Sequence, residues 1–261
     1  MREDRWERML QNGLKKETEH IGVSDFLKTR IDMEITARQE ESIMKKKIHF
    51  KRYIAVAACV CLLVPAGIFA GGKVSSYTSG TDGADYKTST DWKDLNAMEE
   101  KAGIETDAVE NFSNGYQFSE ISTVPFNALD EEGVRMFKEI ELQVRYQNDA
   151  GNEINCYMNR ADDRMTDDRT PDQTAELDGV TVSCYEETYK FVPADYEETA
   201  EDRALEAAGG YYISYGNDKV EVLDSLSVNW EKDGVSYGIQ GFDTDLTPEE
   251  LFAMAGEVIQ G

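Results

Sequence analysis

Twenty consecutive residues without a formal charge, residues 53–72 (YIAVAACVCLLVPAGIFAGG), constrain this chain more than any other feature. A helix of that length spans roughly 30 Å, the thickness of the hydrocarbon core of a bilayer. The N-terminal flank of the stretch is basic, with Lys45, Lys46, Lys47, Lys51 and Arg52. The positive-inside rule therefore predicts a single-pass protein of the cell membrane, with its N-terminus in the cytoplasm and its C-terminus outside.

A cleaved signal peptide is the competing interpretation of this stretch, because small residues suited to cleavage lie between Gly67 and Gly72. The charged region before the stretch contains 52 residues, however, and secretory signals usually begin with a much shorter one. A transmembrane helix is therefore the prediction for residues 53–72.

Charge is distributed unevenly on the two sides of the apolar stretch. Residues 1–52 carry 13 Lys/Arg and 10 Asp/Glu, whereas residues 73–261 carry 14 Lys/Arg and 42 Asp/Glu. A domain this acidic lacks the basic surface that contacts nucleic-acid phosphates, so nucleic-acid binding by residues 73–261 is not expected.

The first 52 residues are predicted to form a cytoplasmic helical segment. Its apolar residues recur at helical spacing and define a stripe for contact with a partner: Trp6, Leu10, Leu14, Phe26, Leu27 and Ile31. Two short helices cannot bury such a stripe alone, so docking into a groove of a partner is expected; a poorly ordered tail is the alternative. The only histidines are His20 and His49, and no cysteine precedes Cys59, which excludes a four-ligand zinc module here.

Residues 73–90 are rich in Ser, Thr and Gly and are predicted to form a flexible stalk. Residues 91–261 are predicted to form an extracytoplasmic α+β domain, an antiparallel sheet with packed helices. The clearest local signal is Asp233-Gly234, a two-residue hairpin turn that would place Trp230 opposite Tyr237 and Val228 opposite Ile239. Thr247-Pro248 then predicts the start of a C-terminal helix that covers the apolar face of this hairpin.

Catalytic chemistry has little support in residues 73–261. Without a histidine, this part of the chain cannot form Ser-His-Asp or Cys-His catalytic groups, and no phosphate-binding glycine loop is present. The chain is therefore predicted not to be an enzyme and to need no cofactor. One acidic loop could bind calcium, although a solvated charged loop is the better interpretation because arginines lie among its acids: Asp162, Asp163, Asp167, Asp168 and Asp172.

Cys156 and Cys184 are the only cysteines after the apolar stretch. Strand alternation directs both side chains to the core. A disulfide between them is one alternative if their strands are neighbours, and two buried free thiols are the other.

Several motifs resemble membrane-bound anti-sigma factors of bacteria, in the group that lacks a zinc module and carries an outer domain of unknown function. The motifs are GVSDFLKTRI at 22–31, ENFSNGYQF at 110–118, YKFVPADY at 189–196, YYISYG at 211–216, and the hairpin and C-terminal helix at 228–259. The resemblance implies that the cytoplasmic segment holds an extracytoplasmic-function sigma factor inactive until an envelope signal arrives. It also implies that the outer domain senses the envelope or protects the stalk from a regulatory protease. The alternative is a membrane-anchored binding module for a peptide, glycan or surface protein, without a sigma partner.

Overall fold

A computed structural model describes residues 76–79, 84–129, 134–162 and 169–261. In these residues ten strands form one sheet, and three α-helices accompany it. The strands, in chain order, are β1 (Ser76–Ser79), β2 (Lys87–Ser89), β3 (Gln117–Leu129), β4 (Arg135–Gln147), β5 (Glu153–Arg160), β6 (Gln173–Leu177), β7 (Val180–Val192), β8 (Tyr211–Tyr215), β9 (Glu221–Lys232) and β10 (Val235–Phe242).

The helices are α1 (Leu95–Ala102), α2 (Ala200–Ala208) and α3 (Pro248–Gln260), and a short 3-10 helix, Trp92–Asp94, precedes α1. Of the described residues, 197–211 form one compact unit and the remainder form a second. In the first unit, α2 begins with a reciprocal cap between Thr199 and Asp202, and the Tyr211 hydroxyl donates to Asp202 Oδ1 at 3.0 Å.

The sheet is a half-barrel with the strand order β1-β3-β4-β5-β10-β9-β7-β6. β2 also pairs with β3, and β8 with β7. All the registered strand pairs are antiparallel.

The predicted fold class is wrong for the described part of the chain. The described part of the chain is mostly sheet with three helices rather than α+β, because its strands hold far more of the residues than its helices do. Within the described ranges, no helix is both long and apolar enough to cross a membrane. The predicted transmembrane helix, residues 53–72, and the predicted cytoplasmic helices, residues 1–52, lie outside these ranges.

The hairpin of β9 and β10 confirms the predicted register. Trp230 lies opposite Tyr237, with their rings stacked at 5.1 Å, and Val228 lies opposite Ile239. Asp233 and Gly234 both have positive φ, 51° and 80°, which a two-residue hairpin turn of this kind requires.

One face of the sheet, called here the helical face, packs against α1 and α3. Helix α3 begins as predicted: the Thr247 hydroxyl and the Glu250 carboxylate cap it reciprocally, and Pro248 occupies its first turn. Its C-terminal end is held by Lys232 Nζ, which donates to the Ile259 carbonyl at 2.8 Å and to Asp107 Oδ2 at 2.7 Å.

The core of the helical face is large and almost fully buried, and includes Ile121, Leu142, Val144, Tyr146, Met158, Val182, Ile239, Leu251 and Met254.

The segment predicted to be a flexible stalk, residues 73–90, contributes two strands to the sheet. Ser79 of β1 lies opposite Phe126, and Thr88 of β2 lies opposite Ser122, so both strands pair with β3. Polar composition alone did not reveal these strands, because short edge strands are selected by pairing with an existing neighbour rather than by their own pattern.

Gly256 gives a first test of the packing of α3. A Cβ at this position would meet only Leu177 Cδ1, at 3.9 Å, an ordinary contact. Because alanine is the better helix former, we expect Gly256→Ala to raise the free energy of unfolding by about 1 kcal/mol. Gly241→Ala is the matched control: its Cβ would lie 3.0 Å from Thr244 Cβ, so it should destabilise the domain. Urea unfolding measures both, and a destabilising Gly256→Ala would contradict the packing.

Candidate functional site

The sheet face opposite the helical face carries buried polar side chains, which is unusual for a sheet surface. Ser225 and Ser227 of β9 and Gln240 of β10 are almost fully buried. Gln240 Nε2 donates to Ser225 Oγ at 2.8 Å, whereas Ser227 Oγ has no hydrogen-bond partner among the described residues. Strand alternation places them here, since the adjacent residues Val228 and Ile239 point to the helical face.

A buried ion pair lies over this same face. Arg169 Nη1 donates to Glu187 Oε1 at 2.7 Å, and the two side chains are only 7% and 4% exposed. The Arg169 guanidinium also stacks 3.9 Å above the Tyr185 ring. Glu187 accepts a second hydrogen bond, from the Tyr189 hydroxyl at 3.3 Å. The pair therefore ties the segment that leads into β6 to the middle of β7.

Asn229 completes this group, which we call the Arg169 cluster (Arg169, Tyr185, Glu187 and Asn229). In the amide orientation that gives both the oxygen and the nitrogen a partner, Asn229 Oδ1 accepts from Arg169 Nη2 at 2.9 Å. Its Nδ2 then donates to the Val228 carbonyl at 3.0 Å. A Cβ at Gly238 would lie 2.7 Å from the amide end of Asn229. Glycine at 238 thus makes the room that Asn229 needs to reach the arginine.

Glu141 of β4 is a second buried acid on this side of the sheet. Its side chain is fully buried, and Oε1 accepts from Gln143 Nε2 at 2.7 Å. Its neighbours Ile140 and Leu142 point to the other face. Oε2 has no hydrogen-bond partner in the described part of the chain. Burial raises the pKa of this carboxyl to about 8, only partly opposed by the Gln143 hydrogen bond. Glu141 is therefore mostly a neutral acid at pH 7.

These groups have limited catalytic capacity. The Glu187 carboxylate is neutralised by Arg169, and burial raises the pKa of both Cys156 and Cys184 to about 12, which leaves them as unreactive thiols. The described residues hold no group of three or more side chains that could bind a metal ion. The contacts of the Arg169 cluster hold the segment before β6 against β7 and β9.

The sequence-predicted residues fall in different places. The whole predicted partner stripe (Trp6, Leu10, Leu14, Phe26, Leu27 and Ile31) lies outside the described residues, as do Asp163, Asp167 and Asp168 of the acidic loop. Asp172 of that loop has a structural contact, because its Oδ2 accepts from the Glu186 backbone N–H at 2.8 Å. The Arg169 cluster and Glu141 were not predicted; the alternation of β4 and β7 put charges on one face, but the sequence cannot show that this face is buried.

The disulfide alternative is wrong, and both cysteines are buried free thiols. Cys156 lies opposite Ile239, Ile239 opposite Val228, and Val228 opposite Cys184, so β10 and β9 separate the two cysteine strands. Three strand spacings amount to roughly 14 Å, whereas a disulfide needs Cα atoms within about 7 Å. The prediction that both side chains face the core is confirmed.

Comparison with known proteins adds no identification: no protein family, no curated protein and no solved structure matches the chain.

Proposed function

We propose that the chain is a non-enzymatic regulatory protein that holds an extracytoplasmic-function sigma factor inactive through residues 1–52. The observation that carries the proposal is the apolar stripe of that segment, with Phe26, Leu27 and Ile31 in its second part. A segment of this length cannot bury the stripe within itself, so a groove on a partner is the natural place for it. The proposed location in the membrane rests on the sequence alone.

The chemistry of the sheet domain supports a sensing role rather than a catalytic one. Its buried acid Glu187 is paired with Arg169, its buried thiols are unreactive, and both histidines of the chain precede the domain. Under the proposal, the domain responds to a signal by binding or by local opening.

The edge of the sheet formed by β1 and β2 is a place where local opening would expose the chain to a protease. β1 and β2 are short, and they hold the segment before the domain against β3. Short edge strands open at low cost, and an extended, released segment is what a protease binds. Under the proposal, the paired state of β1 and β2 protects residues 73–90, and a signal that releases them exposes the segment to a regulatory protease.

The test of sigma-factor binding is co-purification with the tagged full-length chain from the native cell. Phe26→Asp places a charge in the apolar stripe and is expected to abolish the complex, since an unpaired charge in an apolar groove is costly to bury. Thr29→Asp is the matched control, because its helical spacing puts it opposite the stripe, and it should keep the complex. Equal loss in both variants, or no sigma factor with the unaltered chain, would refute the proposal and favour a binding module without a sigma partner.

A further inference from the structure

Strand β6 is an edge of the sheet. It pairs with β7 on one side, and within the described ranges no strand pairs with its outer side. Gln173, Thr174 and Glu176 are exposed, and Ala175 and Leu177 are half-buried. Such an edge presents backbone N–H and C=O groups that another extended chain can bind.

Helix α3 runs beside this edge on the helical face. It contacts β6, and Gly256 comes so close that a Cβ there would lie 3.9 Å from Leu177 Cδ1. Glu249 and Phe252 lie on the same side of α3 as Gly256, at helical spacings of three and four residues. Phe252 is half-buried and packs at the margin of the core. The edge of β6 and this side of α3 therefore lie side by side, and we call the surface that they form together the β6–α3 groove.

The first residue of β6 lies at the acidic end of the groove. Gln173 lies opposite Cys184, whose pKa is raised to about 12 by burial first and then by the charges of Glu186, Asp172, Glu249 and Glu187. Glu186 and Glu249 are exposed acids that reach this point from β7 and from α3. A positively charged group at this end of the groove would be favoured by the acids around it.

We propose that the β6–α3 groove binds an extended peptide segment carrying lysine or arginine, which adds to the sheet as a further strand beside β6. Its backbone would bind the outer side of β6, while alternate side chains would pack on Phe252 and on the space left by Gly256. A basic side chain would lie near Glu249 and Glu186. A second copy of this domain is a poorer occupant, because residues 73–261 carry 42 Asp/Glu against 14 Lys/Arg and the same acids would meet across the edge.

The experiment titrates the full-length chain against a labelled, capped peptide of sequence Lys-Val-Thr-Val-Lys-Val-Thr-Val-Lys and follows fluorescence anisotropy. Saturable binding is expected. Gly256→Leu fills the groove and should weaken binding roughly tenfold or more, while its better helix propensity keeps α3 folded. Glu249→Lys should weaken binding by a similar factor and should favour the peptide with Glu in place of Lys. Glu231→Lys, the same charge change at an exposed position of β9, is the matched control and should have a much smaller effect.

Strand addition is separated from simple charge attraction by the same peptide with alternate backbone nitrogens methylated, which keeps every charge and loses hydrogen-bond donors. We expect that peptide to bind much more weakly. Equal binding of the methylated peptide, no effect of Gly256→Leu, or no saturable binding at all would overturn the proposal. It stands apart from sigma-factor binding, because Phe26→Asp is expected to leave peptide affinity unchanged.

Discussion

Glu141→Gln is expected to make the domain more stable than the unaltered protein at pH 9, and about equally stable at pH 5. The amide keeps the acceptor oxygen that Gln143 Nε2 binds and has the shape of the neutral acid. Unlike the acid, it never has to become a buried anion. The gain at high pH should reach a few kcal/mol, measured as the difference between the two proteins in urea unfolding across the pH range.

The stability gain of Glu141→Gln at high pH follows from the pKa of Glu141, which folding raises from 4.5 to about 8. Between these values the folded state keeps a proton that the unfolded state has released. The contribution of the neutral Glu141 side chain to the stability of the fold is therefore fully present below about pH 4.5. That contribution falls as pH rises through this window by at most about 1.4 kcal/mol per pH unit, and is lost above about pH 8.

The same substitution at Glu139, a partly exposed neighbour on β4, controls for the loss of one negative charge. Its effect on the free energy of unfolding should be small at every pH. A stability difference between Glu141→Gln and the unaltered protein that stays constant from pH 5 to pH 9 would show that Glu141 is not buried as a neutral acid.

Arg169→Met is expected to destabilise the domain by about 3–5 kcal/mol, because it removes the guanidinium that pairs with the buried Glu187 carboxylate. The Tyr189 hydroxyl also donates to Glu187, but it carries no positive charge. Adding Glu187→Met should restore much of the lost stability, since a buried pair replaced by apolar side chains is often close to neutral. Urea unfolding of the two single variants and the double variant measures the coupling.

Lys219→Met is the control for the ion pair, because Lys219 and Glu221 form a pair at 2.8 Å in which the lysine is 66% exposed. An exposed pair of this kind contributes less than about 1 kcal/mol. If Arg169→Met costs no more than Lys219→Met, the Arg169 cluster does not hold the segment before β6 to the sheet.

Secondary structure and strand register were predicted correctly from the sequence where the turn or cap residues agree with the burial pattern. The Asp233-Gly234 turn and the alternation from Val228 to Ile239 specify one register, and the structure has that register. The Thr247 cap and the apolar side of α3 were equally readable, because a helix start and a helical stripe are both local signals.

Elements that depend on distant partners were missed. β1, β2 and β6 are short edge strands with polar residues, and each is defined by pairing with β3 or β7. Helix α2 was also not predicted, although Thr199 and Asp202 form a capping box, which is a local signal in the sequence.

The candidate site was the least predictable part. Arg169 lies in a charged segment that reads as solvated, yet its guanidinium is buried over Tyr185. The acid that it pairs with, Glu187, belongs to a strand on the far side of a turn, and no local spacing links the two. Likewise, Cys156 and Cys184 share the helical face, but only the strand order shows that two strands separate them.

The measurement that tests the proposed function most directly is sigma-dependent transcription in the native cell after deletion of this chain. If the chain holds a sigma factor inactive, deletion should raise transcription from the promoters of one sigma factor, and the full-length chain should restore the low level. Restoration should fail with Phe26→Asp and succeed with Thr29→Asp. Unchanged transcription after deletion, or full restoration by Phe26→Asp, would contradict the account.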